Sequence, residues 1–407
     1  MTVMSKMRRV IWKFAAAALL FAAGQAGAAT PLPPIRHVFL IVLENEGAGV
    51  TFGKNSPAPY LARDLMAKGA FLKNYFATGH YSLDNYLTMI SGQAPNPSTQ
   101  GDCPTFSDFP NNTLDTSGQV VGNGCVYPAN VMTLADQLGH AQLTWKSYSE
   151  DMGNDPARES AACGHPAVNA SDGTEKAEAA SASHPADQYA TRHNPFVYFH
   201  SIVDSDACKT NVVNFASLES DLQSIATTAN FNFITPNLCD DGHDGGRPTR
   251  TCVDGRPGGL VTANLFLKQW VPLILASPAF KKDGMLIITF DEADIDVGYD
   301  SAKHTYKFES GDVSSCCNEM PGPNIGSGAT VFNIPDQGPG VFGPGGGRIG
   351  AVVLSPFVKG KTVSETAYNH YSLLRTLEDF FALPYLGYAG QPGLNSFGSD
   401  VFSAQSR

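Results

Sequence analysis

Two uninterrupted apolar runs, His37-Val38-Phe39-Leu40-Ile41-Val42-Leu43 and Met285-Leu286-Ile287-Ile288-Thr289-Phe290, limit what this chain can become. Neither alternates apolar with polar residues, so neither reads as a strand with one wet face. Each reads as a central strand of a parallel sheet covered on both sides. Phe231 to Thr235 and Arg348 to Leu354 read as further strands. Helical patterns lie between them. Leu83, Tyr86, Leu87 and Ile90 recur at i, i+3, i+4, i+7 and predict a helix over 82–91 stopped by Gly92. Pro59 to Lys68 reads as a helix ended by Gly69, Leu260 to Leu275 as a long helix and Tyr371 to Phe381 as the last one. Strands alternating with helices are the α/β signature, so a central, mostly parallel sheet with helices on both faces is expected. Residues 152–190, rich in Ala and Ser, and 310–347, rich in Gly and Pro, read as irregular insertions near a site. The 43% hydrophobic content supplies a core of this size, and no repeat or linker divides the chain.

The N-terminus reads as a leader. Lys6, Arg8, Arg9 and Lys13 precede the apolar stretch Phe14 to Ala23 and then Ala26-Gly27-Ala28, the pattern of a secretory signal peptide over residues 1–28. The stretch is short of the ~20 residues that span a bilayer, and no later stretch reads as long enough, so stable membrane insertion is not expected. Cleavage would take away four positive charges and no negative ones, moving the net charge from −11 to −15. Such an acidic chain repels polyphosphate, which argues against nucleic acid as a partner. Export to the periplasm or outside the cell suits the eight cysteines, an even number with no CxxC pair, as disulfides rather than metal ligands. Pairing neighbours along the chain gives 103–125, 163–208, 239–252 and the adjacent 316–317. Residues 29–407 are read as one domain.

Polar residues gather just after the apolar strands. Glu44-Asn45 follow Leu43, Asp291-Glu292 follow Phe290, and Asn237, Asp240, Asp241 and His243 follow Thr235. The carboxyl ends of parallel strands share one rim, where ligand sites form. Turn formation and helix capping are the plainer reading of such residues. Gathered without a cation, the four groups Glu44, Asn45, Asp291 and Glu292 would raise one another's pKa values; as oxygen donors they suit a hard or borderline divalent ion. Ser82 stands where the helix over 82–91 begins, among free backbone N–H groups that favour anions, although an N-cap role explains such a serine equally well. Asn85 lies one turn along. His80 has two readings, substrate contact or loop packing, and His370, opening the last helix, reads as a cap before it reads as catalytic.

Glu-Asn after the first strand, Ser82-Leu83-Asp84-Asn85-Tyr86, Pro236-Asn237 with Asp241-Gly242-His243, and a strand ending in Asp291-Glu292 occur in that order. With Arg192-His193-Asn194-Pro195 and Tyr368-Asn369-His370-Tyr371, they make the chain resemble, from Ile35 to about Leu386, the bacterial phosphoesterase family of secreted acid phosphatases and phospholipases C. That family is related to the alkaline phosphatase superfamily. The resemblance implies an alkaline phosphatase-like fold with disulfide-bonded loop insertions. It implies Ser82 as nucleophile and Glu44, Asn45, Ser82, Asp291 and Glu292 around one divalent metal ion, with His193 and His243 at the phosphoryl oxygens or the leaving group. Asp84 departs from the family's usual Pro. Asn45-Glu46-Gly47 departs from the phospholipase branch.

The expected activity is hydrolysis of phosphate monoesters through a phosphoserine, with Asn85 and His80 at the substrate. A phosphodiesterase of phospholipase C type is the alternative, and a phosphate-binding protein with a dead site a more distant one. Protonation of His193 or His243, starting near ~6.5, would give an acid optimum.

Overall fold

The structure, a computed structural model, describes residues 32–243 and 251–403, except 302, 304, 324, 326–329 and 335–337. The leader expected over residues 1–28 lies outside the described residues.

In chain order the strands are β1 (His37–Leu43), β2 (Ala70–Phe76), β3 (Trp145–Ser149), β4 (Val212–Asn214), β5 (Phe231–Thr235), β6 (Gly284–Phe290), β7 (Ile295–Asp300), β8 (Thr305–Gly311), β9 (Thr330–Ile334), β10 (Gly338–Phe342), β11 (Ala351–Leu354) and β12 (Thr362–Asn369). Eight of them form one sheet in the order β12-β2-β11-β6-β1-β5-β3-β4. All its pairings are parallel except those of β11, which runs antiparallel to both β2 and β6. Every position of β1 and β6 is buried, as continuous apolar runs require of strands covered on both faces. The two are in step, with Leu43 opposite Phe290, so the next residues, Glu44 and Asp291, emerge side by side.

Helix Ser82–Ser91 forms where its apolar spacing put it and ends at Gly92 in the left-handed region. It packs against the last helix, His370–Phe381, whose N-cap Asn369 accepts a hydrogen bond from Ser372 N. His370 is therefore the first residue inside that helix and not its cap. The segment expected as a helix from Pro59 opens with a π-helical stretch, Tyr60–Leu65, before Met66–Lys68 turns α-helical; Tyr60 N, which has no acceptor within its own helix, donates to Asn264 Oδ1.

Helix Gly259–Ala276 corrects one expectation. Eighteen residues long, with a mean hydropathy of 1.3, it is long and apolar enough to cross a membrane. Half of it is buried, through Leu260, Ala263, Phe266, Leu267, Val271 and Ile274 in the main core, which is the pattern of a core helix.

Two further departures have local causes. The strand expected from Arg348 begins only at Ala351, because Ile349 N and Gly350 N both donate to Tyr75 O and the doubled contact interrupts the ladder. Within 310–347 the chain is not wholly irregular: β9 and β10 pair antiparallel, and β7 and β8 form another antiparallel pair just beyond Glu292. Residues 152–190 contain no helix or strand among the described residues, and Arg158 ties them together through Asp187 and Tyr189 carbonyls. All four neighbouring cysteine pairs are joined.

Gly350 sits at φ +74°, and a Cβ there would lie 2.8 Å from the Phe52 ring. Gly350→Ala is expected to cost about 1–2 kcal/mol from the left-handed backbone alone, read as a lower urea midpoint. An unchanged midpoint would contradict this account of the bulge.

Candidate active site

The site is built where β1 and β6 end. Asp291 N donates to Leu43 O, extending the ladder one step, and Glu44 N donates to Asp241 O from the segment after β5. Asn45 takes a left-handed conformation (φ +45°), which turns its N–H onto Asp291 Oδ1 at 2.8 Å and its side-chain amide onto Glu292 Oε1 at 3.0 Å. Three strand ends thus converge, but not with every residue the sequence offered. Asn237 bonds Glu150 and Asp151, and Asp240 pairs with Arg256, so both face a different cavity. Only Asp241 and His243 of that segment reach this rim.

Ser82 is not a cap. The N-cap position is Tyr81, held at φ +100°, a conformation rare for any residue with a Cβ. Ser82 is the first residue of the helix, and its Oγ donates to Glu44 Oε2 at 2.6 Å. The other oxygen of Glu44 accepts from the Tyr86 hydroxyl at 2.6 Å and lies 3.4 Å from His193 Nε2. Tyr81 N and His80 Nδ1 both contact Glu292 Oε2, at 3.0 and 2.8 Å. Leu83 N donates to Asp102 Oδ1, so a carboxylate also faces the positive end of the helix.

Burial and mutual repulsion leave these acids poorly suited to carrying charge unaided. Burial, then Asp291 and Asp241, pushes the Glu44 carboxyl well up. Burial and Glu292 push Asp291 up to about 8, and burial also raises Glu292. Asp291 Oδ2 and Asn45 Oδ1 are buried and receive no hydrogen bond. A hard divalent ion fits this donor set: it would meet the two bare oxygens and relieve the repulsion. Glu292 is the expected ligand whose oxygens are most fully occupied, by Asn45, His80 and Tyr81.

Above these groups lies a cavity of about 380 Å³ lined by Ser82, Asn45, His80, Arg192, His243 and Glu292, with Tyr81 and Asp102 at its wall. A larger cavity, about 540 Å³ beside Gln93 and Tyr388, holds none of this chemistry. Arg192 was overlooked from sequence. It brings a guanidinium to the cleft, held near Asp102 and Glu175, and its only signal was its place beside His193.

Two expected roles do not match the geometry. Asn85, expected at the substrate, is wholly buried: its Oδ1 accepts from Thr78 N, Thr78 Oγ1 and Gly79 N, and its Nδ2 donates to Gly79 O and Tyr81 O. Both amide hydrogens are spent on the loop that presents Ser82. His193 stacks on Tyr86, ring centroids 5.3 Å apart, and does not line the cleft; burial, then Arg192 and His243, holds its pKa well below 6.5. Of the two histidines expected at the phosphoryl group, only His243 lines the cleft. His370, buried, contacts Asp291 O at 2.6 Å and Tyr75 at 3.1 Å, and so steadies Asp291 from behind.

The strand ends of a mostly parallel α/β sheet thus present buried acids and a helix-borne serine hydroxyl beside one cleft, at the rim where such sheets bind ligands. The chain belongs to the Phosphoesterase family, whose model matches residues 54–384. It is 26% identical over 323 residues to the phosphate-repressible acid phosphatase of Penicillium chrysogenum (79% of this chain, 54% of that protein) and 25% identical over 352 residues to a probable acid phosphatase of Kluyveromyces lactis (86% and 59%). It therefore spans about half the length of these two relatives. A phosphatidylinositol-3-phosphatase of Mycobacterium tuberculosis is 25% identical over 362 residues, 89% of this chain and 82% of that protein. Among solved structures, an alkaline phosphatase superfamily protein from Vibrio parahaemolyticus aligns with a TM-score of 0.46 at 11% identity, over 87% of this chain and 68% of that one.

Asn85→Ala is expected to destabilise the fold by at least about 2 kcal/mol, since it strands several buried backbone groups at once. Ser82→Ala should cost less. Urea denaturation of both variants checks the order, and a smaller loss for Asn85→Ala would refute the positioning role.

Proposed function

We propose that this protein is an exported acid phosphatase that hydrolyses phosphate monoesters through Ser82. The observation that carries the reading is the Ser82 hydroxyl at a helix N-terminus, 2.6 Å from Glu44 and open to a cleft containing Arg192. The names of the fungal relatives support the reaction class. The basic, then apolar, N-terminal sequence supports export.

When bound by Glu44, Asn45, Ser82, Asp291 and Glu292, a divalent ion would lower the pKa of the serine hydroxyl and neutralise phosphoryl charge. The chain's own part follows from its geometry. Ser82 Oγ attacks phosphorus; its proton has Glu44 Oε2 as nearest acceptor. As the Oγ–P bond forms, the bond to the ester oxygen breaks and the alcohol leaves with a proton from His243, which lines the cleft. Arg192, in the cleft, offsets charge on the phosphoryl oxygens. Water then cleaves the phosphoserine, releasing phosphate and restoring the hydroxyl. Asn85, Tyr86 and His370 touch no reacting atom and act by holding the loop, Glu44 and Asp291.

Ser82→Ala is expected to lower turnover of p-nitrophenyl phosphate by more than ~10²-fold with the fold retained. Chelation should abolish turnover by the unsubstituted protein, and returning a divalent ion should restore it. Full activity in the variant ends the nucleophile assignment. Turnover of p-nitrophenylphosphorylcholine without turnover of the monoester would replace the phosphatase by a phosphodiesterase.

A further inference from the structure

The insertion over residues 152–190, without helix or strand among its described residues, closes one end on itself. Glu178 N donates to Asp187 O at 2.7 Å and Asp187 N to Glu178 O at 3.0 Å, with Ser181 N on His184 O at the turn between them. The chain around Asp155 lies against this small hairpin. Asp155 N donates to Asp187 Oδ2 and Asn154 Nδ2 to Ala186 O, both at 2.8 Å.

Where the two segments touch, two carboxylates and an imidazole converge. His184 Nε2 lies 3.7 Å from Asp155 Oδ2 and 3.9 Å from Glu178 Oε1, and the three ligand atoms fall within 4.8 Å of one another. The His184 side chain is only 9% exposed. Its Nδ1 sits 2.8 Å from Pro185 O. A carbonyl oxygen only accepts, so Nδ1 carries the hydrogen and Nε2 of the neutral ring turns a lone pair toward both carboxylates. Three acceptors then face one another with no donor between them. Protonating Nε2 does not join them either, because 3.7 and 3.9 Å are too long for hydrogen bonds. Ligand atoms about 2.0–2.2 Å from one zinc ion at tetrahedral angles stand roughly 3.3–3.6 Å apart, only a few tenths of an ångström closer. A backbone carbonyl accepting the other ring N–H is also the usual support of a metal-bound imidazole.

We propose that Asp155, Glu178 and His184 form a site for a divalent ion of zinc type that pins the stretch around Asp155 to the 178–187 hairpin. None of the three lines the Ser82 cleft. The donors differ in kind from those at the strand ends as well. A nitrogen with two carboxylates suits a borderline ion, whereas the all-oxygen set around Glu44 and Asp291 suits a hard one. Two carboxylates balance the divalent charge, and water takes the fourth position.

Hydrogen–deuterium exchange read peptide by peptide separates this site from the one at Ser82. The full chain is stripped with a chelator, dialysed free of it and measured with and without Zn²⁺. Zn²⁺ is expected to slow exchange several-fold in peptides covering 154–158 and 178–187. His184→Gln should abolish that slowing, and so should Glu178→Gln, whose half-exposed side chain makes it the variant to use if His184→Gln does not fold. Glu44→Gln, at the strand-end site, should keep it. No slowing of these peptides in the unsubstituted protein would overturn the proposal and leave the three groups an ion pair of a protonated histidine. Undiminished slowing in His184→Gln and Glu178→Gln would overturn it too, as would its loss in Glu44→Gln. Turnover enters none of these readouts, so an inactive enzyme would count against the phosphatase reading and leave this one standing.

Discussion

Placing Glu44 beside Asp291 is the constraint on which the rest of the site depends. It follows from the register of β1 on β6, because Leu43 opposite Phe290 leaves the next residue of each strand as its neighbour's partner. Two carboxylates brought together under a closed core repel, and burial withdraws the water that would screen them. The surroundings consist largely of answers to that repulsion. Tyr86 and Ser82 donate to Glu44, Asn45 and the Glu292 amide to Asp291, and His80, Asn45 and Tyr81 to Glu292. Few of these donors carry charge, so the cluster is arranged but not neutralised. A divalent ion held there would supply what hydrogen bonds do not.

The parts of this arrangement that sequence made legible are those with short-range causes. β1 and β6 announced themselves because a strand buried on both faces tolerates few polar positions, here only His37 and Thr289, and helix Ser82–Ser91 because its apolar positions keep one face. The four disulfides were legible because they join consecutive cysteines in chain order. What was hidden depends on partners far away in sequence. Nothing near Asn85 says that its amide is used up on the backbone of Thr78, Gly79 and Tyr81. Nothing near His193 says that it lies against Glu44, on the inner side of the cleft, and not at the substrate. Asn237 and Asp240 follow a strand just as Asp241 does, yet the chain turns between them, and Arg256 draws Asp240 to another cavity. The β7–β8 and β9–β10 pairs escaped notice for a different reason. β7 and β8 are broken by Gly and charged residues, and β10 opens Gly-Pro-Gly, which reads as a turn.

Backbone strain completes the picture. Asn45 and Tyr81 carry side chains yet sit at φ +45° and +100°, conformations that cost of order 1–3 kcal/mol each. In both, the backbone N–H ends on a carboxylate of the cluster: Asn45 N on Asp291, Tyr81 N on Glu292. A charge-assisted hydrogen bond to a buried acid is worth roughly 1.5–3 kcal/mol, comparable to the strain it accompanies. Relaxing either residue to ordinary dihedrals would therefore save little and would strip a donor from an acid that already lacks them. The strain has a second effect at Tyr81. By occupying the N-cap position without a side-chain cap to the helix, Tyr81 leaves Ser82 as the first helical residue, with its hydroxyl directed to Glu44 and not back to its own helix. A serine one position earlier would be a cap. The distorted turn is what separates a hydroxyl that satisfies the helix from one available for chemistry, and the acids that make the turn tolerable are the same ones whose repulsion a cation would relieve.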